Sequence, residues 1–270
     1  MIKAAGALAV AVLVLLVLKS LIGSMEPRLV FFPAKGEDAN PSRLGLPYQP
    51  VTLTTSDGER LAAWQLEPET PRADIVYFHG NGGNLSMWLP VFAALHRHGF
   101  RVLAFDYRGY GLSTGTPTEE GVYRDAEAAV RHAIGSRAAG RPLVFWGRSL
   151  GVPIAASATR VAMPDALVLE SGFPDKAAVV RGSPVLRALN VFGSYRFATH
   201  EMLRGFQPPV LVMHGEADST IPFGLGRELF DRLAAPKQFV AIRGADHNDF
   251  FNIDNTAYWA PVLGFVDSLR

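Results

Sequence analysis

A mostly parallel, doubly wound α/β sheet with an antiparallel N-terminal edge is the fold class this sequence predicts, and three observations carry it. From residue 74 onward, short unbroken apolar runs alternate with helical stretches, the pattern of strands buried on both faces and joined by crossover helices. Ahead of them, segments 51–54 and 61–66 flank Ser56-Asp57-Gly58, a hairpin signal. Finally, Gly147-Arg148-Ser149-Leu150-Gly151 is entered from an apolar strand and leaves as a small-residue helix, the strand–turn–helix setting of a nucleophile elbow.

The chain has 270 residues, enough for one large α/β domain. Apolar residues make up 49% and the formal net charge is +1, which supports a large core and gives no basic surplus for nucleic acid. Without cysteine there can be no disulfide, cysteine metal site or cysteine-linked lipid.

Residues 4–18 are apolar or glycine and lie between Lys3 and Lys19. Extended to Ile22, with Lys19 snorkelling, the run reaches the roughly 20 residues a membrane span needs. A cleaved signal peptide is the rival reading, but Lys19-Ser20-Leu21-Ile22-Gly23-Ser24 is a poor cleavage site. The expectation is therefore a retained single-pass anchor over 1–24, a connecting segment over 25–50 and a catalytic domain over 51–270. That domain is expected to be extracytoplasmic, because a short N-terminal anchor more often exports the rest of its chain.

Within that domain, strands are expected at 75–78, 102–105, 143–146, 166–169, 210–213 and 239–242. Helices are expected at 86–98, 118–134, 152–161, 223–233 and 258–269, the second opening on the acidic turn Thr118-Glu119-Glu120-Gly121. Trp64 reads as core. Residues 173–207 are too long for one crossover helix and carry Val185, Leu186, Leu189, Val191, Phe192, Tyr195 and Phe197. They form either a helix with a long loop or a short lid that handles an apolar substrate group.

A serine hydroxyl is a weak nucleophile that needs a base, normally a histidine held by a carboxylate. Asp218 lies in the loop after the 210–213 strand and His247 in the loop after the last strand, where ligand-facing groups of such sheets gather. Ser149, Asp218 and His247 are thus the expected nucleophile, orienting acid and base. Glu216 and Asp246 are alternatives to Asp218, although Asp246 is the immediate neighbour of His247. Of the seven histidines, His96 and His98 fall at a helix end, His132 on a helix face and His200 in the possible lid. His214 ends a strand as a buried, hydrogen-bonded residue and is the weaker candidate for the base.

An oxyanion hole needs backbone N–H donors. Leu150, after the serine, supplies one, and His79-Gly80-Asn81-Gly82-Gly83-Asn84 supplies the other, through Asn81 or else Gly80. On this reading the Asn81 side chain is dispensable, and His79 braces the loop. No G-x-G-x-x-G, P-loop or H-E-x-x-H pattern is present, so neither nucleotide, cofactor nor metal is expected. Asn84-Leu85-Ser86 is a formal glycosylation sequon, taken as chance because a glycan would crowd the oxyanion loop.

With these pieces in place, the chain resembles the small α/β-hydrolase-domain serine hydrolases that carry an N-terminal membrane anchor. The resemblance rests on Leu29-Val30-Phe31-Phe32-Pro33, the loop from His79 to Asn84, the stretch from Phe105 to Ser113, the serine elbow, Gly215-Glu216-Ala217-Asp218 and Asp246-His247-Asn248-Asp249. It implies the α/β-hydrolase fold, hydrolysis of an acyl ester, thioester or related small molecule, and a structural role for Asp106–Ser113 beneath the oxyanion turn. The anchor and the apolar stretch of the lid favour lipid-like substrates. An amidase or peptidase would use the same three residues. A non-catalytic binding protein would not need them, and dehalogenase or epoxide hydrolase chemistry would need a carboxylate in place of Ser149.

Overall fold

In a computed structural model, which describes residues 2–191, 193–249 and 255–269, eight strands form one sheet in the order β1-β2-β4-β3-β5-β6-β7-β8. β1 (Tyr48–Thr54) and β2 (Arg60–Leu66) pair antiparallel, and β2 pairs antiparallel with β4 (Phe100–Phe105). Every other neighbour is parallel: β3 (Ala73–Phe78), β5 (Leu143–Arg148), β6 (Ala166–Glu170), β7 (Val210–Gly215) and β8 (Lys237–Ile242). β3, β4, β5, β6 and β7 are buried along their whole length, which is why they read as unbroken apolar runs. The mostly parallel sheet and its antiparallel edge agree with the sequence reading.

Helices cover both faces. α2 (Leu85–Arg97) packs with Trp64, Tyr77 and Trp146 on one side, and α3 (Glu119–Ser136) and α4 (Gly151–Ala158) with Val76, Phe78 and Phe145 on the other. Thr118 caps α3 by accepting from the Gly121 amide at 3.0 Å. Asn84 caps α2 through Ser86 at 2.9 Å and is 3% exposed, so the formal sequon is buried structure. The chain runs outward from β3 to β4, then returns to the far side of β3 as β5. The strand order reverses there, and the loops after β3 and β5 open together at the C-terminal edge.

The segment expected as a possible lid folds as three short helices: α5 (Lys176–Val180), α6 (Pro184–Asn190) and α7 (Thr199–Met202). Val185, Leu186 and Val191 are exposed, whereas Phe197 is buried. Phe192 and the side chain of Leu189 lie outside the described residues. α8 (Phe223–Arg232) and α9 (Asn255–Asp267) complete the fold.

The N-terminus departs from expectation. Among the described residues, no helix is long and apolar enough to cross a membrane. The membrane anchor, the signal-anchor reading and the extracytoplasmic placement that depended on it are therefore corrected. α1 (Ile2–Val30) runs without a break past Lys19 and through residues assigned to a connector. Its last turns belong to the globular domain: Glu26 is 4% exposed and pairs with Lys176, and Phe31, just beyond, packs in the core. Met1 and the side chains of residues 2–12 lie outside the described residues.

Candidate active site

Ser149 follows β5 directly and adopts φ +52°, a left-handed conformation that costs a non-glycine residue roughly 1–2 kcal/mol. Its amide donates to the Glu170 carbonyl at 2.8 Å. The flanking glycines exist because three backbones cross here. A Cβ on Gly147 would stand 2.5 Å from the Gly151 carbonyl oxygen, and one on Gly151 would stand 1.9 Å from that of Phe78. The turn therefore carries its hydroxyl out between β3, β5 and α4.

His247 brings the predicted residues together. Its Nε2 lies 3.1 Å from Ser149 Oγ and its Nδ1 2.8 Å from Asp218 Oδ2. Ser149, Asp218 and His247 are all largely buried, at 8%, 6% and 8% exposure. The other oxygen of Asp218 accepts from the Thr220 and Ile221 amides at 3.0 and 2.7 Å, fixing the carboxylate on its own loop. Burial works to raise the pKa of Asp218, but hydrogen bonds from His214, His247 and the Ile221 amide hold it below the usual carboxylate range. It is an anion at neutral pH, suited to orient a histidine and stabilise its cation.

The alternative residues are otherwise engaged. Asp246 accepts from Ser219 and from the His247 amide, serving the loop rather than the ring. Glu216 is exposed. His214 is fully buried, with Nε2 2.8 Å from the Ile221 carbonyl and 3.3 Å from Asp218 Oδ2, the oxygen that also meets His247.

After β3, Gly80 and Asn81 border the same cavity as Ser149, Leu150 and His247. Among the described residues, neither the Asn81 nor the Leu150 amide has an acceptor within the protein. Gly80 leaves room for Trp88, whose ring would be 3.0 Å from a Cβ there. His79 is fully buried below, with Nδ1 2.7 Å from the Gly80 carbonyl, and burial pushes its pKa down to about 4, so it stays neutral. Tyr107 donates to the His79 carbonyl at 2.9 Å and Tyr110 to Asn81 Oδ1 at 2.8 Å. The stretch after β4 thus packs against the turn from His79 to Asn84.

Three features escaped the sequence reading. The Asn81 side chain is not idle: it donates to the Val30 carbonyl and accepts from the Phe32 amide at 3.1 Å, joining the turn to the end of α1. Arg148 and Glu170, register partners on β5 and β6, form an ion pair at 1% and 0% side-chain exposure. Glu170 also accepts from Trp146 and Tyr258, both at 3.1 Å, while Arg148 donates to the His247 carbonyl. Opposite charges at matching ends of two apolar strands were the available signal. Glu26 is the third: it borders the cavity from α1, and nothing local marks it.

The cavity has a volume of about 780 Å³, within the range of small-molecule sites. Apolar side chains from α1, α2 and the α5–α6 segment wall it, among them Leu29, Met87, Trp88, Val179 and Leu186. Among the described residues, no cluster of three or more His, Asp or Glu side chains could hold a metal ion.

Sheet order and elbow define an α/β-hydrolase fold. A family model described as serine aminopeptidase, S33, matches residues 69–202. The α/β-hydrolase domain-containing protein WAV2 of Arabidopsis thaliana is 30% identical, across 92% of this chain and 89% of its own length. The lysophosphatidylserine lipase ABHD12 of Danio rerio is 35% identical over 183 residues, 60% of this chain and 48% of that protein. The chain belongs to the α/β-hydrolase family. The Pyrococcus furiosus esterase Pf2001 shares the fold, with a TM-score of 0.72 at 20% identity over 88% of this chain and 99% of that one.

Proposed function

We infer that this protein is a serine hydrolase that cleaves acyl esters or thioesters through an acyl-enzyme, on substrates with an apolar, lipid-like acyl group. The observation that carries the reading is the position of His247, within hydrogen-bonding distance of both Ser149 and Asp218 at the edge of an apolar cavity. Ser149 Oγ attacks the carbonyl carbon while His247 Nε2 takes its proton. Asp218 holds the ring through Nδ1 and stabilises the imidazolium. The Asn81 and Leu150 amides receive the negative charge that develops on the carbonyl oxygen, the interaction that usually contributes most to such a step. His247 then protonates the departing oxygen or sulfur and deprotonates the water that releases the acid. In this scheme the α5–α7 segment is the lid over the acyl group.

The names of relatives agree with this chemistry, one being a lysophosphatidylserine lipase and a structural neighbour being an esterase. The description of the matching family model, serine aminopeptidase, favours a second reading on amides. An aminopeptidase must hold the substrate's ammonium group. Among the described residues, the carboxylate that borders the cavity is Glu26, and it is already taken by Lys176, Ser194 and Tyr195, so the ester reading is preferred.

The test compares wild type and Ser149→Ala on p-nitrophenyl esters, acyl thioesters and aminoacyl p-nitroanilides, with fluorophosphonate labelling alongside. Wild type is expected to be labelled and to cleave esters or thioesters faster than anilides, and Ser149→Ala to lose both properties. Retention of labelling and turnover by Ser149→Ala would sink the mechanism, and a preference for anilides would select the amidase.

A further inference from the structure

The end of α1 is fastened to the site at several places. Glu26 accepts from the Ser194 amide at 2.7 Å, the Ser194 hydroxyl at 2.8 Å and the Tyr195 amide at 3.1 Å, besides its ion pair with Lys176. Burial acts to raise its pKa, yet Lys176 and the Ser194 and Tyr195 donors outweigh that and hold it below the ordinary value. Gly193 permits the approach, since a Cβ there would lie 2.6 Å from Glu26 Oε1 and 2.9 Å from Lys176 Nζ. Phe31 sets its ring edge-on to Tyr195 and Phe197, at centroid distances of 6.0 and 6.2 Å. Beyond it, Phe32 and Ala34 exchange backbone hydrogen bonds with Gly83 of the oxyanion turn at 3.2 and 2.8 Å. Asn81 ties the same turn to Val30 and Phe32. On the lid side, Glu119 of α3 accepts from the Arg196 and Phe197 amides at 2.7 and 2.6 Å, so the segment that Glu26 grips is itself held to the domain.

Such a helix end has a fixed position relative to Ser149, and it presents Ile22, Leu29 and Val30 to the cavity. The charge among them offers a substrate nothing, because the donors around Glu26 come from the protein and Lys176 lies over the Tyr195 ring at 5.9 Å. We propose that the last turns of α1, from Ile22 to Val30, form the acyl-chain specificity wall of this pocket and that Glu26 is the positioning residue that keeps the wall closed against the lid. The proposal rests on the serine-hydrolase reading above and adds to it the ligand class this wall takes, an uncharged alkyl chain. Chain-length preference is then set from the N-terminal helix rather than from the sheet.

The experiment uses the full chain and measures kcat/KM for p-nitrophenyl acetate, hexanoate and decanoate. Ile22→Trp and Leu29→Trp add bulk to the wall, the second at a position open enough to accept it without disturbing the fold. Each is expected to lower the decanoate-to-acetate ratio of kcat/KM at least tenfold. Glu26→Ala should lower the same ratio severalfold, and Glu26→Gln, which keeps an acceptor for Ser194 and Tyr195, should restore most of it. Leu16→Trp, on the same helix but away from the cavity, should leave the ratio where it is. Active enzymes whose ratio stays within twofold of wild type in both tryptophan variants would overturn the proposal while leaving the hydrolase reading intact. A wild type that neither reacts with fluorophosphonate nor cleaves any of the esters would remove both.

Discussion

Arg148, the residue before the elbow serine, donates from its guanidinium to the main-chain carbonyl of His247. The loop that carries the proposed base is thereby tied to the strand that carries the proposed nucleophile, through a side chain that touches neither reacting group. Glu170 holds the guanidinium in place and is itself held by Trp146 and Tyr258.

Arg148→Met leaves Glu170 buried without its charge partner and is expected to cost about 3–5 kcal/mol of stability. Combining it with Glu170→Gln removes both charges and keeps an acceptor for Trp146 and Tyr258, so most of the melting temperature should return. The double variant should still turn over esters slowly, because the His247 carbonyl has lost its donor. Thermal denaturation and kcat, measured on the single and double variants together, separate the two effects. Recovery of stability and kcat in step would show that Arg148 only stabilises the fold.

Asp218→Asn keeps an oxygen for the Thr220 and Ile221 amides but takes away the anion facing His247. A fall in kcat on the order of 10⁴ is expected, as for the equivalent change in serine proteases, with little change in melting temperature. Asp246→Asn should lose on the order of 1 kcal/mol, since that carboxylate serves the Ser219 and His247 amides. Ester hydrolysis by the two variants side by side decides which aspartate orients the base.

Asn81→Ala leaves the backbone donor in place but removes the bonds to Val30, Phe32 and Tyr110. It should cost about 1–3 kcal/mol in kcat/KM and stability combined. An alanine variant indistinguishable from wild type in both would mean that the turn keeps its shape without this tie to α1.

Asp106 supplies a pH dependence. Burial, partly offset by the Leu85 amide, pushes its carboxyl up to about 7 from the ordinary 3.8, while neighbouring His79, 3.6 Å away, stays neutral. Between those values the native chain binds more protons at this site than the unfolded chain, so its contribution to stability falls as pH rises through the window. Asp106→Asn imitates the protonated form and still accepts from Leu85. The variant should melt close to wild type near pH 4 and above it near pH 8, as followed by thermal denaturation across that range. Parallel curves for the two proteins would mean that Asp106 does not titrate in this window.

How much of this was legible beforehand depends on the range of the interactions involved. The sheet, its antiparallel edge and the elbow are written in local patterns: apolar runs of strand length, a turn triplet, and glycines two residues either side of a serine. The order of Ser149, Asp218 and His247 could be read because each follows a strand end, and a parallel sheet gathers those ends at one edge. Contacts between residues far apart in sequence were not legible. The docking of the last turns of α1 rests on Glu26 meeting Ser194, 168 positions away, and the bracing of His247 on Arg148, 99 positions away. Nothing local marks the partner of a buried carboxylate, so where the end of α1 packs is decided by tertiary structure alone.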